Sequence, residues 1–285
     1  MEGADLSRFS EDVLNDHAGK APRVALIGAG AMGGALLRGW IDEGAIDAAA
    51  SAVFEPDPSA ALQAVTRAAR LALNPPIAAR FDVVVLAIKP QSLGDAATYA
   101  PVAKDALVIS VLAGKSIAAV SSVLGTKRVI RVMPNLPSMV GAGAAGLYAP
   151  PAADEHDRRT ARALMQAVGE AVFVDSEAAI DAVTAISGSG PAYFFLLAEA
   201  LEEAACALGL PADSAATLAR KTLEGAGAVI AADGRGATAL RKAVTSPGGT
   251  TEAALKVLDG DEKLVRKLIK DAATAAFRRA QELTG

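Results

Sequence analysis

The chain has 285 residues, 52% of them hydrophobic, with 28 Lys and Arg against 32 Asp and Glu and a formal net charge of −4. At roughly 100–200 residues per domain this length allows one large or two ordinary domains with their own cores, and the slightly acidic balance argues against nucleic-acid binding, which needs a basic face. A single cysteine, Cys206, excludes a disulfide framework and an all-cysteine metal cluster, and the two histidines, His17 and His156, leave little for a histidine-based site. No metal and no membrane span are expected, and the lone thiol fits a cytoplasmic protein.

Residues 1–21 read as a detachable extension. Leu6, Phe9, Val13 and Leu14 have the spacing of one weak amphipathic helix, and Glu2, Asp5, Glu11, Asp12 and Asp16 do not fit a secretory signal. The segment is expected to be flexible and without chemistry. From Arg23 short β-branched runs alternate with helical stretches: Val24–Ile27, Ala52–Phe54, Val83–Ile88, Leu107–Leu112 and Val129–Val132 read as strands, and 31–43, 59–69, 91–100 and 116–124 as helices. The runs are continuous rather than alternating, as expected of strands buried on both faces of a parallel sheet. Strand–helix repetition of this kind predicts a doubly wound α/β sheet. Two further strands, 144–148 and 171–174, flank a helix near 154–168 and extend the sheet at its far edge. After Asp175 the strand signal stops, and 177–187, 190–208, 212–232, 236–244, 250–259 and 261–283 read as helices. The expected domains are therefore 22–175 and 176–285, the second all-helical. The helix from 192 carries Phe194, Phe195, Leu196, Leu197 and Leu201 on more than one face, so a partner subunit is expected to cover it.

The first constellation is Gly28-Ala29-Gly30-Ala31-Met32-Gly33, after the first strand and opening the first helix. In a dinucleotide-binding, Rossmann-type domain the first glycine permits a tight turn, the second lets backbone approach a pyrophosphate, and the third lets the helix pack on the strand. Glu55, ending the second strand, is where a carboxylate hydrogen-bonds ribose hydroxyls. With Asp57 beside it and no Arg or Lys before Arg67, the loop favours NADH over NADPH. The strand 83–88 ends in Ala87-Ile88-Lys89-Pro90, where Lys89 either counters phosphate charge or is solvated. Val111-Leu112-Ala113-Gly114 offers small apolar surface for a flat ring. Asn135, after the strand 129–132, meets a carboxamide or caps its turn.

In the helical half, Val244-Thr245-Ser246-Pro247-Gly248-Gly249-Thr250-Thr251-Glu252 breaks one helix and opens another, with Thr250 or Thr251 as the expected N-cap. The segment is either a plain helix–helix turn or a site for a small carboxylate at a helix N-terminus.

These segments carry a resemblance. Gly28–Gly33, Ala87–Pro90 with Arg131-Val132-Met133-Pro134-Asn135, Asp181-Ala182-Val183-Thr184-Ala185-Ile186-Ser187-Gly188-Ser189-Gly190-Pro191-Ala192-Tyr193, and Ser246–Thr251 resemble the pyrroline-5-carboxylate reductases over about residues 23–283. The glycine fingerprint is shared with many dehydrogenases, and the last two segments are far more specific. The resemblance implies a dinucleotide-binding domain and a helical domain through which subunits interlock as dimers, often assembled into decamers. It implies cofactor contacts at Ile27, Gly28, Ala29, Gly30, Ala31, Met32, Glu55, Asp57, Asn74, Ala87, Ile88, Lys89, Pro90, Val111, Leu112 and Ala113, to which the residue reading adds Gly33 and Asn135. It implies substrate contacts at Glu177, Ser246, Thr250 and Thr251, and the backbone amides of Gly248, Gly249, Thr250 and Thr251 are expected to hold the substrate carboxylate at the helix start. Thr251 is the expected hydrogen-bond donor to the imine nitrogen of 1-pyrroline-5-carboxylate. Ala243 departs from the Asn that some members use near the cofactor. Two other readings stay open: a hydroxyacid-type dehydrogenase, which would need a lysine acid such as Lys221 or Lys242, and a non-catalytic nucleotide sensor.

Overall fold

A computed structural model of the chain describes residues 20–77 and 79–284, and the helix read over Leu6–Leu14 lies outside them. Strands β1 (Val24–Ile27), β2 (Ala52–Phe54), β3 (Ala72–Leu73), β4 (Val83–Leu86), β5 (Leu107–Ser110), β6 (Val129–Met133), β7 (Gly143–Tyr148) and β8 (Gly169–Phe173) form one sheet in the order β3-β2-β1-β4-β5-β6-β7-β8. The first six run parallel, β7 is antiparallel to β6, and β8 is parallel to β7. The order of the first six is that of a doubly wound dinucleotide-binding sheet.

The strands read as unbroken apolar runs because both faces are covered. Val24, Leu26, Val85 and Ile109 pack with Leu36, Leu37 and Trp40 of helix α1 (Ala31–Asp42), with Leu62 of α2 (Ala60–Ala68), and with Leu164 and Met165 of a later helix, Glu155–Gln166. Ala25, Ile27, Val84, Leu86 and Val108 pack on the opposite face with Leu93, Val102, Val120 and Leu124. These four come from the turn Pro90–Tyr99, α3 (Ala100–Ala103) and α4 (Ile117–Leu124); Glu155–Gln166 is α5.

Three local outcomes depart from the sequence reading. The helix expected over 91–100 is a 3₁₀ stretch, Pro90–Tyr99, whose buried residues Leu93 and Ala96 recur at three rather than at 3.6 residues. Strand β3 was not anticipated: it has two residues, and Arg70 and Asn74 beside it both hold positive φ, 57° and 51°. The helices expected over 177–187 and 190–208 are joined. Helix α6 (Ala179–Val183) passes through a π turn, Thr184–Gly188, into α7 (Gly190–Ala207). Pro191 lacks the N–H that would close an ordinary helical turn. One turn earlier Ser189 N–H passes over the Ala185 carbonyl to reach that of Thr184 at 2.8 Å, and the Ala185 carbonyl accepts the Tyr193 hydroxyl at 3.0 Å.

The remaining helices are α8 (Ala212–Ala232), α9 (Ala237–Ala243), α10 (Thr250–Asp259) and α11 (Leu264–Thr284). The chain divides into two compact units at Ile180/Asp181, five residues beyond the expected boundary, and the second unit spans Asp181–Glu282. In this unit the buried side chains are small, such as Ala215 and Ala219. Phe194, Phe195, Leu196 and Leu197 of α7 are each about half exposed, at 56%, 51%, 64% and 46%.

The expectation of no membrane span needs a correction. Residues 132–153 contain no Asp, Glu, Lys or Arg, but this run folds as a 3₁₀ turn and β7. The continuous helix Ala179–Ala207 is long and apolar enough, by length and composition, to cross a bilayer.

Candidate active site

The glycines of the first loop serve three different ends. Gly28 has φ +88°, and a Cβ there would lie 2.8 Å from the Ala87 carbonyl oxygen and 2.9 Å from the Ile88 nitrogen. A Cβ on Gly33 would lie 2.2 Å from the Gly28 carbonyl oxygen. Both are therefore fixed by packing: the loop lies directly on the Ala87–Ile88 backbone, and α1 rests on the loop. Gly30 is different. It is exposed, its φ is −63°, and a Cβ there would meet nothing within 4 Å. The fold does not demand glycine at 30, whereas close approach of a pyrophosphate does. Gly30 is also the N-cap of α1, with no side chain capping it and no acidic residue in the first turn, so helix-end N–H groups face that opening. A nicotinamide dinucleotide fits this cradle.

The other predicted cofactor residues lie at the carboxyl ends of neighbouring strands, where ligands of open α/β sheets bind. Ile27 is buried at the end of β1, and Ala31 and Met32 enter α1 exposed and half-buried. One Glu55 oxygen, Oε2, accepts the Ala29 N–H at 2.8 Å, and Oε1 accepts the Asp57 N–H at 3.3 Å. The Asn74 carboxamide does not project outward. Its Oδ1 accepts the Glu55 N–H at 2.9 Å and its Nδ2 donates to the Glu55 carbonyl at 2.8 Å. Lys89 is exposed at the start of the 3₁₀ stretch and, among the described residues, forms no ion pair. At the end of β5, Val111 is half-buried, Leu112 buried and Ala113 exposed. Asn135 is buried, and its Oδ1 accepts the Ala144 N–H at 2.8 Å. It ties the β6 end to β7, a use that neither the carboxamide reading nor the cap reading anticipated.

One residue escaped the sequence reading. A cleft of about 140 Å³ between α1 and α2 is lined by Gly30, Gly34, Arg38, Ser59, Leu62 and Met139. Arg38 brings a cation to the cleft that Gly30 also lines, whereas the segment after Glu55 holds no basic residue before Arg67. The signal lay one helical turn beyond Gly34, on the same face of α1.

Glu177 follows β8. Its Oε1 accepts the Ile117 N–H at 2.7 Å and lies 3.4 Å from Nη1 of the buried Arg131. It thus caps α4 together with Ser116, whose Oγ accepts the Ala119 N–H at 3.2 Å. Its second oxygen has no hydrogen bond among the described residues.

In the helical unit the loop before α10 corrects the cap assignment. Gly249, not Thr250 or Thr251, is the N-cap. Gly248 holds φ +71°, and Glu252 folds back so that its carboxylate accepts the Gly248 N–H at 2.9 Å. The Gly249 N–H goes to the Ser246 carbonyl at 3.0 Å. Both glycine amides are thereby engaged within the loop, which corrects the expectation that they hold the substrate carboxylate. The N–H groups of Thr250 and Thr251 remain as first-turn donors, which have no intrahelical acceptor. The Thr251 hydroxyl is half-buried and has no hydrogen-bond partner among the described residues. Ser246 is exposed. The Gly248 amide, and secondarily Lys256, holds the Glu252 carboxyl below its usual range.

The lysine acid of a hydroxyacid-type enzyme finds no support in these positions. Lys221 is 61% exposed and pairs with Glu224 at 2.7 Å, and Lys242 is exposed on α9.

Two family models match separate parts of the chain. Residues 177–283 match the family model described as pyrroline-5-carboxylate reductase dimerisation, and residues 23–114 match one described as NADP oxidoreductase, coenzyme F420-dependent. The pyrroline-5-carboxylate reductase of Pseudomonas aeruginosa is 40% identical over 270 residues, covering 92% of this chain and 97% of that protein. The enzyme of Haemophilus influenzae is 36% identical over 267 residues, covering 91% and 97%. The solved structure of a pyrroline-5-carboxylate reductase from Coxiella burnetii superposes with a TM-score of 0.84 at 36% identity, covering 93% of this chain and 100% of that one. With relatives at 40% and 36% identity spanned almost end to end and the dimerisation model matched over 177–283, the chain belongs to the pyrroline-5-carboxylate reductase family.

Proposed function

We propose that the chain reduces 1-pyrroline-5-carboxylate to L-proline with NADH in preference to NADPH, holding the cofactor on the glycine loop and the substrate at the start of α10. The observation that carries the reading is the Thr251 hydroxyl, without a hydrogen-bond partner among the described residues, on a helix N-terminus whose neighbouring glycine amides are already satisfied. A reduced nicotinamide, when bound, supplies the hydride that the imine carbon accepts. The chain's part is to orient. The Thr250 and Thr251 amides hold the substrate carboxylate against the helix start, and the Thr251 hydroxyl donates to the ring nitrogen as it gains basicity. Ser246 stands beside the same loop as a further substrate contact, and Glu177, as the resemblance implies, is a proposed substrate contact whose second oxygen has no hydrogen bond among the described residues. Positioning of two bound partners accounts for several kcal/mol of barrier lowering, and a cyclic imine, being more easily protonated than a ketone, asks little of a buried acid.

Ile27–Gly33, Glu55, Asp57, Asn74, Ala87–Pro90, Val111–Ala113 and Asn135 form the proposed cofactor side. Glu55 favours NADH by its charge at the ribose, while Arg38 is the cation that would favour a 2′-phosphate. The apolar faces of α7 support a dimer, with a pentamer of such dimers as the larger assembly, in the cytoplasm. Steady-state kinetics on the imine test the reading. Turnover is expected with both nucleotides and a higher kcat/KM with NADH. An NADPH advantage of tenfold or more, about 1.4 kcal/mol of transition-state preference, overturns the cofactor assignment, and no turnover with either overturns the reaction.

A further inference from the structure

Strands β2 and β3 are short: the ladder pairs Ala52 with Ala72 and Val53 with Leu73, and Asn74 N–H then reaches the Val53 carbonyl at 2.8 Å. Beyond that point no backbone group among the described residues pairs with Glu55. The Asn74 side chain supplies one. With φ at +51°, a left-handed conformation that asparagine tolerates better than most residues, its carboxamide satisfies both backbone polar groups of Glu55, accepting from the N–H and donating to the carbonyl. One amide thus does the work of the next ladder residue. Pro56 follows and restricts Glu55 to extended geometry. The fixed backbone directs the Glu55 carboxylate across the loop onto Ala29 N–H at 2.8 Å.

We propose that Asn74 is a positioning residue that sets cofactor choice through Glu55: the chain Asn74–Glu55–Ala29 holds a carboxylate at the edge of the glycine loop, where it accepts ribose hydroxyls and repels a 2′-phosphate. This rests on the reading of Glu55 given above and changes the role of Asn74 from a cofactor contact to the support of one. Without the two carboxamide bonds the end of β2 is free to rotate, and the carboxylate no longer has one place to be. Discrimination between the two nucleotides then falls, whereas the glycine loop and its pyrophosphate approach remain.

The test is a double-mutant cycle read by direct binding, with NADH and NADPH titrated separately against the full chain and without imine. Asn74→Gly keeps the positive φ and removes both bonds. Glu55→Gln keeps the shape and removes the charge. The ratio of the two dissociation constants, NADPH over NADH, is the readout, because a general loss of stability weakens both nucleotides alike and leaves the ratio in place. Glu55→Gln is expected to lower the ratio about tenfold, a partly screened charge–charge effect. Asn74→Gly is expected to lower it by about three- to tenfold, and to leave it unchanged when Glu55→Gln is already present. An unchanged ratio in Asn74→Gly, with Glu55→Gln effective, overturns the positioning role alone. An equal effect of Asn74→Gly in both backgrounds makes Asn74 a direct cofactor contact and also overturns it. An unchanged ratio in Glu55→Gln overturns the reading of Glu55, and the proposal with it.

Discussion

Replacing Gly30 and Gly33 by alanine separates binding from folding within one loop. At Gly33 the new methyl would sit 2.2 Å from the Gly28 carbonyl oxygen, so backbone must move by about 1 Å on one side of a packed turn. Overpacking against backbone costs about 3 kcal/mol, which lowers Tm by roughly 6–12 °C in a domain of this size. At Gly30 the methyl meets nothing within 4 Å and φ is an ordinary −63°. There the loss of a favourable N-cap residue and the gain from a stiffer unfolded chain are each about 0.5–1 kcal/mol and oppose one another, so Tm stays within a few degrees. Binding reverses the order of severity. A methyl on Gly30 holds the pyrophosphate off the loop and removes one or two charge-assisted hydrogen bonds at about 1.5–3 kcal/mol each, a ten- to hundredfold or greater rise in Kd for either nucleotide. Differential scanning fluorimetry and nucleotide titration on the two variants measure both quantities. A Gly30→Ala protein that binds NADH and NADPH within twofold of the parent refutes the assignment of that opening to the pyrophosphate.

Thr251→Ala is expected to lower turnover of the imine by roughly tenfold to a few hundredfold, with NADH affinity nearly unchanged. Because Gly249 is the cap of α10, Tm should barely move, and wild-type turnover in this variant would remove Thr251 from the chemistry. Glu252 gives an acid-side signature. Its folded-state pKa is depressed by the Gly248 amide, so its contribution to the loop is complete above the ordinary carboxylate range near 4.5 and is lost as pH falls through the folded value. Tm profiles of the parent and Glu252→Gln should therefore converge below about pH 4.5, and a constant offset from pH 7 to 3.5 contradicts the assignment. Light scattering at micromolar concentration is expected to give at least a dimer, and a monomeric mass would refute the role given to α7.

Much of the first unit was legible because its physics is local. Strands covered on both faces leave unbroken runs such as Val83–Leu86, and the Gly28–Gly33 spacing records the turn, the approach and the helix packing together. What sequence reading missed depends on partners distant along the chain. Nothing beside Glu177 announces that its carboxylate caps α4 sixty residues earlier, and Arg38 lines the cleft next to Gly30 from a helix face, not from the loop after Glu55. Strand β3 is too short to carry a period. The cap of α10 was misplaced for a different reason: hydroxyl residues usually lead at that position, but the helix begins after Gly249 with no side-chain cap, and Glu252 bonds the left-handed Gly248 that precedes it.

The helical unit poses an energetic question that its own packing does not answer. On α7 the side chains of Phe194, Phe195, Leu196, Leu197 and Leu201 stand about half exposed. Fully burying such a side chain is worth about 1.5–3 kcal/mol, so completing the burial yields roughly 1 kcal/mol each. A symmetric pair of these faces then gains about 10 kcal/mol, comparable with the 4–15 kcal/mol that association costs in lost freedom. One helix per subunit is therefore marginal. Leu218, Val229 and Ile230 on α8, Val257 and Leu258 on α10, and Leu268 and Ile269 on α11 are also largely exposed, and covering them roughly doubles the gain. The distribution of apolar surface thus favours an interlocked dimer over a contact along one helix. It also gives the apolar stretch Ala179–Ala207 a protein partner instead of a lipid one, in keeping with the dimerisation family matched over residues 177–283.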